Sequence, residues 1–222
     1  MSTSRTAIIV AGGGALLPWM LADIPSDALV IAADSGLDHA RAAGLHVDMV
    51  VGDLDSVTPG SLAWARSSGI RIDEYPRDKD ATDTELALRV AAGSDASHIV
   101  LLGGGGDRLD HTLGAITALG HSCLAGCASV VARWGDSVIH VIHGPRRSQV
   151  PIAPGATFSV LSLHGPCEGV TLQGARWELA NRSLQPASSV GVSNEALSTE
   201  LLVRVEHGVL SLIIPTNMDV SS

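Results

Sequence analysis

Short apolar runs alternating with amphipathic stretches organise roughly the first 135 residues. Runs at 7–11, 28–33, 49–51, 98–102 and 129–132 have the length and apolar content of buried strands, and 70–75 reads as a further short strand. Between them, 37–43, 59–68, 82–92 and 109–119 read as helices. Gly44, Gly69 and Gly93 stop the first three, and Pro59 stands in the first turn of the second. Within 82–92, Leu86 and Val90 lie four apart, and Ala87 and Ala91 extend that face. The alternation predicts an N-terminal α/β domain, Rossmann-like, with a parallel sheet covered by helices.

The pattern changes near residue 137. Stretches 138–143, 157–164, 169–173, 201–206 and 209–214 are strand-like, and Gly144-Pro145, Gly165-Pro166 and His207-Gly208 punctuate them. Short strands between regular turn signals predict a C-terminal antiparallel β-sandwich or small barrel. The Gly-, Pro- and Arg-rich stretch 136–150 holds the boundary, which divides the chain into 1–140 and 141–222.

Composition narrows the functions available. With 222 residues, 45% hydrophobic, the chain can bury a substantial core, and aromatics at 3% leave the filling to aliphatic residues. A net charge of −9 with only 14 Lys and Arg argues against general nucleic-acid binding, which needs clustered cations. A bound polyphosphate would therefore depend on metal, backbone N–H groups and a few specific arginines. Cys123, Cys127 and Cys167 have no metal-ligand spacing and read as buried free thiols in a reducing compartment. The apolar stretch near the N-terminus is broken by Gly12-Gly13-Gly14 and Pro18, and no run approaches the ~18 apolar residues of a spanning helix. The expectation is a cytoplasmic protein with no membrane partner.

Candidate chemistry clusters just after strands, where open α/β sheets bind ligands. Asp53 and Asp55, in Gly52-Asp53-Leu54-Asp55-Ser56, follow the third strand. Strand residues alternate faces, so two carboxylates spaced i, i+2 at the strand's end share one face, an arrangement suited to Mg²⁺; a solvated turn is the alternative. The segment 78–85 holds Asp78, Asp80, Asp83 and Glu85, more acid than capping the next helix needs. Gly103-Gly104-Gly105-Gly106, then Arg108 and Asp110, offer close backbone approach, fixed positive charge and a further carboxylate; a flexible loop with an Arg–Asp surface pair is the alternative. No Walker A loop, G-x-G-x-x-G fingerprint or G-x-S-x-G elbow is present. Gly12–Gly14 is either a tight turn or a phosphate-facing loop.

Five segments in order resemble the thiamine pyrophosphokinase family. They are Ala33-Asp34-Ser35-Gly36, Gly52-Asp53-Leu54-Asp55-Ser56, Lys79-Asp80-Ala81-Thr82-Asp83-Thr84-Glu85-Leu86-Ala87-Leu88, Gly106-Asp107-Arg108-Leu109-Asp110-His111 and Gly191-Val192-Ser193-Asn194. The resemblance implies transfer of the diphosphoryl group of ATP to the hydroxyl of thiamine, with Mg²⁺. It assigns Asp53, Asp55 and Asp83 to the metal and triphosphate, Arg108 to charge on the transferring group, and Asp110 and Asp34 to a nucleotide-facing rim. Thr82, Gly105 and Gly106 fall on the nucleotide side, and Ser193 and Asn194, with Asp83, on the thiamine side. It also implies a homodimer with active sites at the subunit interface. Two departures stand out. Asp107 replaces a common Gly, and Glu195-Ala196-Leu197 follows Ser-Asn where an aromatic is frequent, which leaves Trp177 as an alternative ring.

Other readings use the same residues. A diphosphokinase acting on a hydroxymethyl-pterin would keep the carboxylates and change the acceptor pocket. A haloacid-dehalogenase-type phosphatase would make Asp53 a covalent nucleophile. A non-catalytic nucleotide-binding module would have little need for so many carboxylates.

Overall fold

A computed structural model describes residues 5–106 and 108–216, so Asp107 lies outside the described residues. The chain divides into two compact units, Met1–Gly135 and Asp136–Ser222. The sequence reading put the boundary five residues later.

The first unit carries β1 (Arg5–Val10), β2 (Leu29–Ala33), α1 (Gly36–Ala42), β3 (Met49–Gly52), α2 (Pro59–Ser67), β4 (Arg71–Glu74), α3 (Asp83–Ala92), β5 (Ala96–Gly103), α4 (Leu109–Ala118) and β6 (Ser129–Trp134). All six strands are parallel, in the order β6-β5-β1-β2-β3-β4. Ile8, Val10, Ala32, Val50 and Leu102 are buried in its core, as expected of strands covered on both faces. β1 has β2 on one side and β5 on the other, so the order reverses there. That switch point is where such a sheet opens a crevice beyond its carboxyl ends.

The second unit is all-β. One antiparallel sheet orders β12 (Asn194–Glu195), β9 (Thr157–Leu161), β14 (Val209–Pro215) and β7 (Ser137–His143). The other orders β11 (Leu179–Leu184), β10 (Cys167–Gln173), β13 (Glu200–Val205) and β8 (Arg146–Pro151). Phe158, Val160, Leu172, Val203, Leu210 and Leu212 form a shared core. The polar strands β8 and β11 were not anticipated; both are sheet edges and keep much of their side-chain surface in solvent. Cys127 and Cys167 are buried outside any disulfide, whereas Cys123 is exposed. Among the described residues, no helix is long and apolar enough to cross a membrane.

Candidate active site

Two glycine loops interlock at the switch point. The Gly14 amide donates to the Gly105 carbonyl. A Cβ on Gly14 would lie 2.7 Å from that carbonyl oxygen, and one on Gly104 would strike the carbonyls of Gly14 and Ala15. Only glycine lets these backbones approach so closely. They form one wall of a cavity of about 310 Å³, bounded elsewhere by Asp34, Asp83, Arg108, His111 and Trp134.

Asp34 and Asp83 of this lining, with Asp53, bring carboxylate oxygens within 4.8 Å of one another. Each comes from a different element. Asp34 follows β2, and its amide donates to Val51 O at 2.9 Å. Asp53 follows β3. Asp83 opens α3, whose N-terminus is capped by the Thr82 hydroxyl accepting from Glu85 N at 3.2 Å. Gly52 makes the convergence possible: a Cβ there would sit 3.0 Å from Asp83 Oδ1 and 3.1 Å from Asp34 Cβ.

Charge is unevenly balanced across this trio. Lys79 Nζ lies 3.0 Å from Asp53 Oδ2 and 3.1 Å from Asp83 Oδ1. The second contact is an ion pair at hydrogen-bonding distance onto a buried oxygen. Asp34 Oδ1 is buried and has no hydrogen-bond partner among the described residues. Burial, followed by the charges of Asp83 and Asp53, raises the Asp34 pKa against donors from the Ser35 backbone and Ser56.

The structure separates Asp55 from this group. The expectation of a shared face assumed continuing strand alternation, but β3 ends at Gly52, and Leu54 has a φ of 65°. The chain turns there, and Asp55 pairs with Arg77 at the surface. A hydrogen bond from Ser56 and then the Arg77 contact hold its pKa below the usual range. The other predicted acid, Asp110, accepts both Arg108 Nε at 3.2 Å and Arg108 Nη2 at 2.6 Å. That forked bond lowers its pKa to about 2, and Asp110 serves here as a partner of Arg108 outside the cavity lining.

In the second unit, Ser193 is exposed with a φ of 57°, and Asn194 is 2% exposed. Asn194 Oδ1 accepts from Trp177 N at 3.1 Å and Glu195 N at 2.8 Å, and its Nδ2 donates to Trp177 O at 2.8 Å. The predicted ligand is thus a bracket for the Trp177 backbone. Trp177, 60% exposed, lines a hollow of about 130 Å³ with Leu179, Val190, Gly191 and Val192.

Sequence reasoning missed Lys79 and Trp134 as site residues. Lys79 stood inside a quoted motif, and its place beside two acids was the available signal. Trp134 ends β6, at the same rim as the other loops, and its ring packs where a Cβ on Gly103 would fall.

Comparison with known proteins agrees with this architecture. Residues 23–130 match the family model described as thiamin pyrophosphokinase, catalytic domain, and residues 139–210 match thiamin pyrophosphokinase, vitamin B1 binding domain. The chain is similar to thiamine pyrophosphokinase of Bacillus subtilis (strain 168), 26% identical over 216 residues, covering 96% of this chain and 100% of that protein. A crystal structure of thiamine pyrophosphokinase from Bacillus subtilis aligns with a TM-score of 0.82 at 25% identity, over 96% of this chain and 100% of that one. Thiamin pyrophosphokinase from Candida albicans has a TM-score of 0.77 over 95% and 90% of the two chains; at 14% identity, that likeness is of fold alone.

Proposed function

The chain belongs to the thiamine pyrophosphokinase family, and we propose that the cleft of its first unit transfers the β,γ-diphosphoryl group of ATP to the hydroxyl of thiamine, giving thiamine diphosphate and AMP. The observation that carries this reading is the convergence of Asp34, Asp53 and Asp83 at the glycine-walled cavity of the sheet's switch point.

The donor set fits Mg²⁺. It is all carboxylate oxygen, and Asp34 Oδ1 is buried with no hydrogen-bond partner among the described residues. Asp34, Asp53 and Asp83 would hold the ion, which would supply charge neutralisation on the phosphate oxygens. Asp55 stands beside the group, its amide donating to Asp53 Oδ1 at 3.2 Å and its carboxylate held by Ser56 and Arg77.

Positioning falls to the chain's own residues. The backbone around Gly105 and Gly106 offers close approach to the triphosphate. The Arg108 guanidinium, turned from Asp110, meets charge on the transferring group. Trp134 offers the nucleotide base an apolar face. A cluster carboxylate orients the thiamine hydroxyl and accepts its proton as the oxygen attacks the β-phosphorus in line with departing AMP. The acidic cleft also favours cationic thiamine.

The hollow beside Trp177 is suited to thiamine's aromatic part, with Asn194 fixing the loop that carries the ring. Homodimerisation, with sites at the subunit interface, and a cytoplasmic location, where ATP is available, belong to the same reading. Neither the pterin diphosphokinase nor the phosphatase has support from the comparisons.

The test is product analysis by chromatography, with MgATP and thiamine, hydroxymethyl-pterin or no acceptor. AMP and thiamine diphosphate should form in equal amounts, with thiamine alone. ADP, acceptor-independent phosphate release, or AMP formed only with the pterin would contradict the proposal.

A further inference from the structure

We infer that Lys79 is the resident counter-ion of the Asp53–Asp83 pair and yields its place to the divalent ion, so that the chain sets its own metal affinity by competition. The inference rests on the reading of the cleft as a metal site.

Lys79 lies in the loop before α3, four residues ahead of Asp83, and its amide donates to Arg77 O at 3.0 Å. Its side chain is 13% exposed, so the ammonium points inward where most surface lysines extend into water. It touches one oxygen of Asp53 and one of Asp83, the two carboxylates that share the metal cluster with Asp34. A single ammonium cannot balance three carboxylates, and Asp34 Oδ1 has no hydrogen-bond partner among the described residues. A divalent ion among the three acids would serve all of them, but the ammonium already stands against two. A positive charge that close to the ligand oxygens opposes entry of a second cation.

Lysine suits this role. Its charge is compact and sits on a flexible four-carbon stem, so it can swing away without disturbing the backbone. Once displaced, the ammonium needs new anionic partners, and the triphosphate of the incoming nucleotide is the nearest source in the reaction. Metal and nucleotide then load together, and the empty cleft resists free divalent ions.

The test is a Mn²⁺ titration of the full chain without nucleotide, followed by electron paramagnetic resonance, on wild type, Lys79→Gln and Lys79→Arg. Lys79→Gln should bind Mn²⁺ about tenfold more tightly than wild type, and Lys79→Arg, which keeps the charge, should stay within about threefold of it. Without metal, the thermal midpoint of Lys79→Gln should fall below that of wild type, and saturating Mn²⁺ should close the gap. Mn²⁺ binding in wild type with equal or weaker binding in Lys79→Gln overturns the inference alone. No Mn²⁺ binding in either protein overturns the metal reading and the inference with it.

Discussion

Asn194 grips Trp177 by both of its backbone polar groups, accepting from the N–H at 3.1 Å and donating to the carbonyl at 2.8 Å. With the Glu195 amide as a third partner, the side chain is committed inside the protein. Asn194→Ala should therefore leave polar groups unsatisfied and cost about 2–3 kcal/mol in urea unfolding. Under the proposed role of Trp177, KM for thiamine should rise while KM for ATP stays near wild type. A variant of unchanged stability would refute the bracket.

The glycine interlock predicts a local failure. In Gly104→Ala, the added methyl would meet the carbonyls of Gly14 and Ala15, so the two loops must part. ATP affinity should fall at least about tenfold, because the approach to the phosphates depends on that backbone. Gly114→Ala, whose Cβ meets nothing within 4 Å, is the matched control and should bind ATP as wild type does. Isothermal titration checks both.

Trp134 is expected to act on the nucleotide alone. Trp134→Ala should raise KM for ATP by about tenfold, the scale of a lost base–aromatic stack, and leave KM for thiamine near wild type. Steady-state kinetics with each substrate varied in turn separates the two.

Acid should weaken the second unit through His140, whose pKa burial lowers to about 4. The unfolded imidazole takes its proton near its model value of 6.5, so the unfolded state binds more protons between those values. The contribution of neutral His140 is present above pH 6.5 and is lost as the pH falls toward 4. The loss amounts to at most about 3 kcal/mol. In His140→Leu, urea midpoints should depend less on pH across that window.

Strands β1, β2, β3 and β5 were legible because they are largely buried and read as apolar runs. Strands β8 and β11, with the sequences RRSQVP and LANRSL, were not, because edge strands have less surface to bury. The acidic residues were legible as chemistry but not as geometry. Alternation pairs Asp53 with Asp55 only while the strand continues, and the turn at Leu54 ends it. Asp34, expected on the rim, lies within the carboxylate group because Gly52 leaves room for it beside Asp83. Asn194 was expected to contact the substrate, but its pairing with Trp177 spans 17 residues and depends on how the loops fold back.

Asp34→Asn tests the central claim most directly, with AMP and thiamine diphosphate followed together at saturating MgATP and thiamine. The substitution keeps the side chain's size and removes one charge from the trio. Turnover should fall by at least about 10³-fold, since removing a single group that stabilises transition-state charge has effects on that scale, while circular dichroism stays that of wild type. Near-normal formation of both products by a folded Asp34→Asn protein would contradict the assignment of the cluster to the reaction.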